Sequence, residues 1–187
     1  IKKRPYPPFT TSTMTQSAAR TFFWSAKRTM SVAQKLYEEG LITYHRTDSL
    51  NLAQEAVFRA RSFIEKEFGK DYVPEKPRFY KTSSRVAQEA HEAVRPTDSR
   101  ATSSEERVTS LGADAVKLYA LIWKRFVACQ MAEALLDQTT IKVSAKGKAK
   151  SEKEYTLQTG GQTTKFDGWR KVYGGKFSDG EQQLPDV

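Results

Sequence analysis

The sequence predicts a mainly α fold with a smaller β part at its C-terminal end. Three observations carry that expectation. Apolar residues recur at helical spacing in several stretches before residue 132. Capping hydroxyls precede these stretches or glycines follow them. Beyond residue 134 the period shifts to the two-residue alternation of strands.

The elements follow in order. Pro5, Pro7 and Pro8 hold the first eight residues extended. Thr10, Thr11, Ser12 and Thr13 supply capping hydroxyls for a first helix that reaches Phe23. Ser25 caps a second helix over roughly 26–39, with Met30, Ala33, Leu36 and Tyr37 at helical spacing and Gly40 at the C′ position. The short Trp24-Ser25 link makes the pair resemble a helix-turn-helix. Leu41 to Asp48, rich in β-branched residues, reads as extended. A third helix is expected at about 53–68, with Ala56, Ala60, Phe63, Ile64 and Phe68 on one stripe and Gly69 as its stop.

Residues 70–86, with Pro74 and Pro77, read as a long loop, and Val86 to Val94 as a short helix ending before Pro96. Residues 97–110 are polar and Ser/Thr-rich, a loop or weak helix. The strongest helix is expected over about 113–131, burying Val116, Leu118, Tyr119, Leu121, Ile122, Phe126, Val127 and Cys129. Thr139 to Ser144 and Tyr155 to Thr159 are expected strands, and Phe166, Trp169 and Tyr173 fall in a further irregular or β segment. The chain divides accordingly into a helical domain over 1–133, a β segment over 134–172 and a flexible tail over 173–187. The β segment has too few strands to stand alone and is expected to complete a sheet whose other strands lie outside this sequence. The first residue is Ile, and the chain is read as an excerpt of a longer protein.

Composition narrows the function. Of 187 residues, 38% are hydrophobic and 28% charged, and no apolar run approaches the ~20 residues of a membrane span. The start, Ile1-Lys-Lys-Arg-Pro, has no apolar signal segment. One cysteine cannot form an internal disulfide, and with two histidines it cannot make a Cys/His zinc site. Lys and Arg number 31 against 22 Asp and Glu, a net +9, and residues 1–48 hold eight of the bases against three acids. That balance favours a polyanionic partner near the N-terminal third.

The familiar nucleotide and metal signatures are missing. The sequence has no phosphate-binding P-loop, no G-x-G-x-x-G, no H-E-x-x-H and no D-x-D. What stands out is Gly40-Leu-Ile-Thr-Tyr-His-Arg-Thr-Asp-Ser49. In an extended segment Tyr44, Arg46 and Asp48 share one face, and Thr43, His45 and Thr47 the other. A tyrosine two residues from an arginine can attack a phosphodiester while the guanidinium holds the phosphate and steadies its growing charge. The phenol, with a reference pKa of ~10, must lose its proton in that attack. Taken alone, the same spacing far more often describes a half-buried tyrosine beside a surface Arg46–Asp48 pair.

Several blocks in order decide between these readings. Pro8-Phe-Thr-Thr-Ser-Thr13, Ser25-Ala-Lys-Arg-Thr-Met30, Ala33-Gln-Lys-Leu-Tyr-Glu38, Gly40 to Ser49, Gln88-Glu-Ala-His-Glu-Ala-Val-Arg-Pro-Thr97 and Phe166-Asp-Gly-Trp169 together resemble the central part of the bacterial type IA DNA topoisomerases, over residues 5–172. The resemblance implies that Tyr44 is the nucleophile that cuts one DNA strand and becomes 5′-phosphotyrosyl. It implies that Arg46 contacts the scissile phosphate and that His91 aids phosphate contact or proton movement. No ATP is needed, because the phosphotyrosine retains the energy of the broken bond. It also implies a CAP-like helical gate domain followed by strands of a β-arch domain. Further implications are a Mg²⁺ site on a separate Toprim domain outside this sequence, and action on single-stranded segments of negatively supercoiled DNA in the cytoplasm, at the nucleoid. On that reading the present chain alone relaxes nothing.

Two departures accompany the resemblance. His45 stands where the family often has Met, and it is read as variation rather than as a second base. Ala53 stands where many relatives have Ser, which leaves the third helix to be capped by Asn51 or weakly. Lys27 and Arg28 open a helix that can approach phosphate through its N-terminus, and Arg95 is open to either a structural role or support of His91. Trp24, Trp123 and Trp169 are candidates for base stacking, with core packing favoured for Trp123. A different class of function, a non-catalytic DNA-binding module of winged-helix type, fits residues 13–39 but has no use for Tyr44-x-Arg46. A bland interaction domain, with basic charge serving only solubility, fits the composition alone.

Overall fold

The computed structural model describes residues 1–80, 91–98, 105–146 and 154–174. Among them lie five α-helices and a three-stranded antiparallel sheet, a mixed α/β architecture. The helices are α1 (Thr11–Phe22), α2 (Ala26–Glu38), α3 (Gln54–Phe68), α4 (Glu105–Ser110) and α5 (Ala113–Cys129). The strands are β1 (Lys2–Lys3), β2 (Ala134–Lys146) and β3 (Glu154–Phe166). The chain separates into two compact units, Pro5–Ala132 and the combination of Ile1–Arg4 with the residues from Glu133 onward.

The helical unit is built on local signals. Thr10 caps α1 in a reciprocal pairing with Thr13, and Ser25 caps α2 by accepting the Arg28 amide. At the end of α2, Gly40 adopts φ 65°, its amide reaches the Tyr37 carbonyl at 2.8 Å, and the Leu41 amide reaches that of Leu36 at 2.9 Å. This double closure satisfies carbonyls that the helix end would otherwise leave open, and it turns the chain towards residues 41–49. Between α1 and α2, Phe23 occupies the left-handed region at φ 58°, ψ 33°, a conformation that glycine adopts far more easily.

α5 is the centre of the unit. Leu118, Tyr119 and Ile122 bury one side of it, in the same core as Met14 and Ala18 of α1 and Ala33 and Leu36 of α2, and Phe126 is buried further along. Each such large side chain contributes about 1.5–3 kcal/mol on burial. Val116, expected on this face, is 40% exposed, and Ala115 takes the inward position instead. Cys129 is fully buried, and burial pushes its thiol up to about 12. On α3, Ala56, Val57, Ala60 and Ile64 face inward, while Phe63 lies edge-on to Trp123 at 5.6 Å.

The helix expected over 86–94 is not what the described part of that segment adopts. Residues 81–90 lie outside the described residues, and 91–94 are extended. The Val94 amide donates to the Phe9 carbonyl at 2.7 Å, the Thr43 amide to the Arg95 carbonyl at 2.9 Å, and the Thr97 amide to the Leu41 carbonyl at 3.0 Å. Residues 93–97 are thus stitched between the approach to α1 and the segment after α2. Pro96 disfavours helix at the residue before it, and these backbone partners then win over the helical preference of Glu and Ala. Within 97–110, Glu105–Ser110 is helical, and 99–104 lie outside the described residues.

In the second unit the strands are longer than their β-branched cores, 13 residues each. β2 and β3 pair antiparallel from Leu135–Phe166 to Lys146–Glu154, with an irregularity between Leu135 and Leu136. Lys2 and Lys3 pair with Leu135 and Ala134, so the first residues belong to the sheet rather than to the helices. Phe166 closes β3, and Gly168–Tyr173 forms a 3₁₀ turn that buries Trp169, whose Nε1 donates to the Lys3 carbonyl at 3.0 Å. Gly175 to Val187 lie outside the described residues.

Candidate nucleic-acid cleavage site

The segment that follows α2 sorts its side chains by parity. Tyr44, Arg46 and Asp48 are exposed, and His45, Thr47 and Ser49 are buried. This is the alternation expected for an extended segment, yet the backbone bends at Thr43, His45 and Arg46, and among the described residues no strand ladder carries it and its one β-bridge joins Ile42 to Pro96. Thr11, in the first turn of α1, holds it instead. The Thr11 hydroxyl donates to the His45 carbonyl at 2.7 Å and accepts the Thr47 amide at 2.9 Å, and the Thr11 amide donates to the Thr47 carbonyl at 2.9 Å. On the other side Thr43 Oγ1 donates to the Ala93 carbonyl at 2.7 Å and accepts the Arg95 amide at 2.9 Å. Two threonines therefore replace the missing ladder and aim Tyr44 outward.

Tyr44 sits among rings. It is 41% exposed, and its ring centroid lies 5.2 Å from that of Tyr37 on α2, 5.5 Å from His45 and 6.2 Å from His91. The three arrangements are edge-on, which aromatic quadrupoles favour. The structure thus brings Tyr44 and His91 together across 47 residues of sequence. Tyr37, itself 40% exposed, was read from the sequence only as an apolar helix position.

Arg46 opens onto a cleft of about 440 Å³ along α2, lined by Lys27, Met30, Ser31, Gln34, Lys35, Glu38 and Arg46. Three cations face one carboxylate there, and that carboxylate accepts the Gln34 amide at 2.7 Å. The cleft suits a phosphate chain. Lys35 and Gln34 escaped the sequence reading; the polar spacing 27, 31, 34, 35, 38 on one helical face is the signal that could have found them.

Other candidates take structural duties. Arg28 forms a forked pair with Asp114 at 2.9 and 3.0 Å and lies over the Trp24 ring at 4.8 Å, so it braces α2 against α5. Arg95 forks onto Glu92 at 3.2 and 2.7 Å, and Glu92 also accepts the Ala53 amide. That carboxylate, not Asn51, serves the start of α3, where Ala53 has no side-chain cap of its own. Trp24 and Trp169 are buried, and Trp123 packs against the core, so none of the three offers a free ring face to a base.

His45 is fully buried, and among the described residues neither ring nitrogen has a hydrogen-bond partner. Burial pushes its pKa below the ordinary value, the Arg46 charge adds to that, and Glu38 opposes it. The ring is therefore neutral at pH 7.

A family model described as DNA topoisomerase matches residues 1–187. The chain is 48% identical over 186 residues to DNA topoisomerase 1 of Haemophilus influenzae, covering 98% of this chain and 20% of that protein. It is 47% identical over 169 residues to DNA topoisomerase 1 of Escherichia coli, covering 90% and 18%. The solved structure of full-length topoisomerase I from Thermotoga maritima superposes with a TM-score of 0.75 at 32% identity, over 100% of this chain and 30% of that one. The fold is therefore of the topoisomerase I kind. The chain belongs to the bacterial type IA DNA topoisomerase family, and it spans about a fifth of the length of the curated relatives it matches.

The family implies Mg²⁺, which prefers several oxygen ligands in octahedral array. Among the described residues no group of three or more His, Cys, Asp or Glu side chains is placed to hold a metal ion. The residues described here do not fit that ion, and no step below passes through it. Among the same residues no helix is long and apolar enough to cross a membrane.

Proposed function

We propose that this chain carries the strand-cleaving tyrosine of an ATP-independent DNA topoisomerase. Tyr44 Oη attacks the phosphorus of one phosphodiester in single-stranded DNA. A tyrosyl O–P bond forms, the P–O3′ bond breaks, the 3′ oxygen leaves with the bonding pair and takes up a proton, and the phenol gives up its own. A second strand passes through the break. The free 3′-OH then attacks the 5′-phosphotyrosine and restores the backbone. One phosphodiester is exchanged for another at each step, so no nucleotide is consumed, and negative supercoils relax.

The observation that carries this reading is the shared outward face of Tyr44 and Arg46 beside a basic cleft. Arg46 holds the scissile phosphate and stabilises the charge that develops on it. His91, beside the Tyr44 ring, contacts phosphate or moves the proton. Lys27 and Lys35 hold the phosphates that follow. In this reading Pro5–Ala132 is the helix-turn-helix-bearing, CAP-like gate domain, and β2 and β3 belong to the arch that hinges it. The Toprim domain of the same protein, supercoiled DNA and a cytoplasmic setting at the nucleoid are its partners.

The test is covalent capture. In the complete enzyme with 5′-labelled and 3′-labelled single-stranded DNA, denaturing gels are expected to show a protein–DNA adduct in the wild type and none in Tyr44→Phe. An unchanged adduct in Tyr44→Phe would move the nucleophile elsewhere. Salt-dependent binding without any adduct in the wild type would favour the non-catalytic DNA-binding module.

A further inference from the structure

His45 is the one buried titratable side chain beside Tyr44 that the proposed chemistry leaves unused. Its backbone is pinned, because the Thr11 hydroxyl donates to the His45 carbonyl at 2.7 Å. Its ring lies 5.5 Å from the ring of Tyr44 and 5.9 Å from that of Tyr37, and those two lie 5.2 Å apart. The three rings therefore form one cluster, with the imidazole as its buried member.

The surroundings of that imidazole favour its neutral form over its charged one. The charged and titratable groups around it are Tyr44 and Arg46 on its own segment and Tyr37 and Glu38 on α2. Thr11 of α1 engages only its backbone and brings no charge. A protonated ring carries two N–H donors, and a buried donor without an acceptor is costly. Neither nitrogen has a partner in this site. Glu38 attracts the charge and Arg46 repels it.

Parity then couples the ring to its neighbours. The chain bends at His45 and Arg46, and buried His45 lies directly between exposed Tyr44 and Arg46, so the inward seat of His45 and the outward seats of its two neighbours are set by the same short stretch of backbone. An imidazolium that turns out towards water or Glu38 rotates the segment and takes both neighbours from their outward positions.

We propose that His45 is a positioning residue that keeps Tyr44 and Arg46 on the exposed face only while its imidazole is neutral. The inference rests on the proposed role of Tyr44. The sign follows from the neutral seat. Above the ordinary histidine value of ~6.5 the segment is held. As pH falls below it the unfolded or displaced form gains protons that the seated form does not, and the seat is lost.

The experiment is single-turnover cleavage of a labelled single-stranded oligonucleotide by the complete enzyme from pH 8 to pH 5. Wild type is compared with His45→Met, which fills the site without a titratable group, and with His45→Gln, which is neutral and polar. His91 is present in all three, so its contribution is common to the comparison. The expected result is that the wild-type rate falls at least tenfold more than that of either variant between pH 7 and pH 5, with all three forming the Tyr44 adduct at pH 8. Superimposable profiles, normalised to pH 8, would overturn the role of His45 and leave Tyr44 as nucleophile intact. Absence of any Tyr44 adduct at pH 8 in the wild type would overturn both readings. If His45→Met fails to fold, His45→Gln decides by the same comparison. If both fail, the outcome is read from the wild-type histidine ring resonances, where a His45 ring that protonates without shifting the Tyr44 ring signals would overturn the proposal.

Discussion

Two parts of this molecule read alike in sequence, both as extended, and are built in different ways. Residues 41–49 alternate between exposed and buried side chains without a ladder, held by Thr11 on one side and Thr43 on the other. The β2–β3 hairpin has a full ladder, from Leu135–Phe166 to Lys146–Glu154, yet its outer half buries neither face. Ile141, Val143, Tyr155 and Leu157 are 51–66% exposed. In the first region the side chains hold the backbone, and in the second the backbone holds the side chains. Position should therefore matter greatly in 41–49 and little along the hairpin.

The largest expected effect is on chemistry. Arg46→Ala should slow single-turnover DNA cleavage by about a hundredfold, the ~3 kcal/mol typical of losing a contact to developing charge. Arg46→Lys should recover only part of that, because lysine keeps the charge and loses the planar fork. An unchanged rate in Arg46→Ala would remove it from the phosphate.

Next comes the threonine clamp. Thr11→Val keeps the shape and removes the hydroxyl that serves the His45 carbonyl and the Thr47 amide. It should lower stability in urea melts by about 2 kcal/mol, the usual penalty for buried backbone groups left unpaired. It should also slow cleavage, because the Tyr44 segment loses its tether.

Phe23 gives a smaller effect of opposite sign. The residue is 92% exposed and holds a left-handed conformation. Phe23→Gly should raise stability by about 0.5–1 kcal/mol, the strain relieved exceeding the added chain entropy. A destabilised variant would show that the ring has a partner. The smallest effect belongs to the hairpin, where Leu157→Thr should change stability by less than ~0.5 kcal/mol, since an exposed strand site loses little packing. A loss of several times that would show that the apolar hairpin face is covered in solution.

The same contrast governs how much was legible in the sequence. Caps and stops are local, so Thr10, Ser25 and Gly40 were readable and lie where they were expected. The alternation of Tyr44, His45 and Arg46 between exposed and buried was readable too, although the backbone that carries it bends at His45 and Arg46 instead of running extended. The groups that create the site were not, because they act across the chain. Thr11 reaches 34 residues to His45, Arg28 reaches 86 residues to Asp114, and Glu92 reaches 39 residues back to Ala53. The segment around His91 misled for a related reason. Its Glu and Ala residues favour helix, but partners at Phe9 and Thr43 draw it out as a strip. The cleft along α2 was missed because nothing local in the sequence separates Lys35 and Gln34 from an ordinary solvated helix face.

The central claim is that Tyr44 alone carries DNA. Its nearest rival is Tyr37, which is 40% exposed and lies 5.2 Å away ring to ring. The direct measurement is to trap the adduct with labelled single-stranded DNA, digest it, and sequence the peptide that bears the nucleotide. The account requires the label on Tyr44 and an undiminished adduct in Tyr37→Phe. A label on Tyr37, or on any residue other than Tyr44, would contradict it.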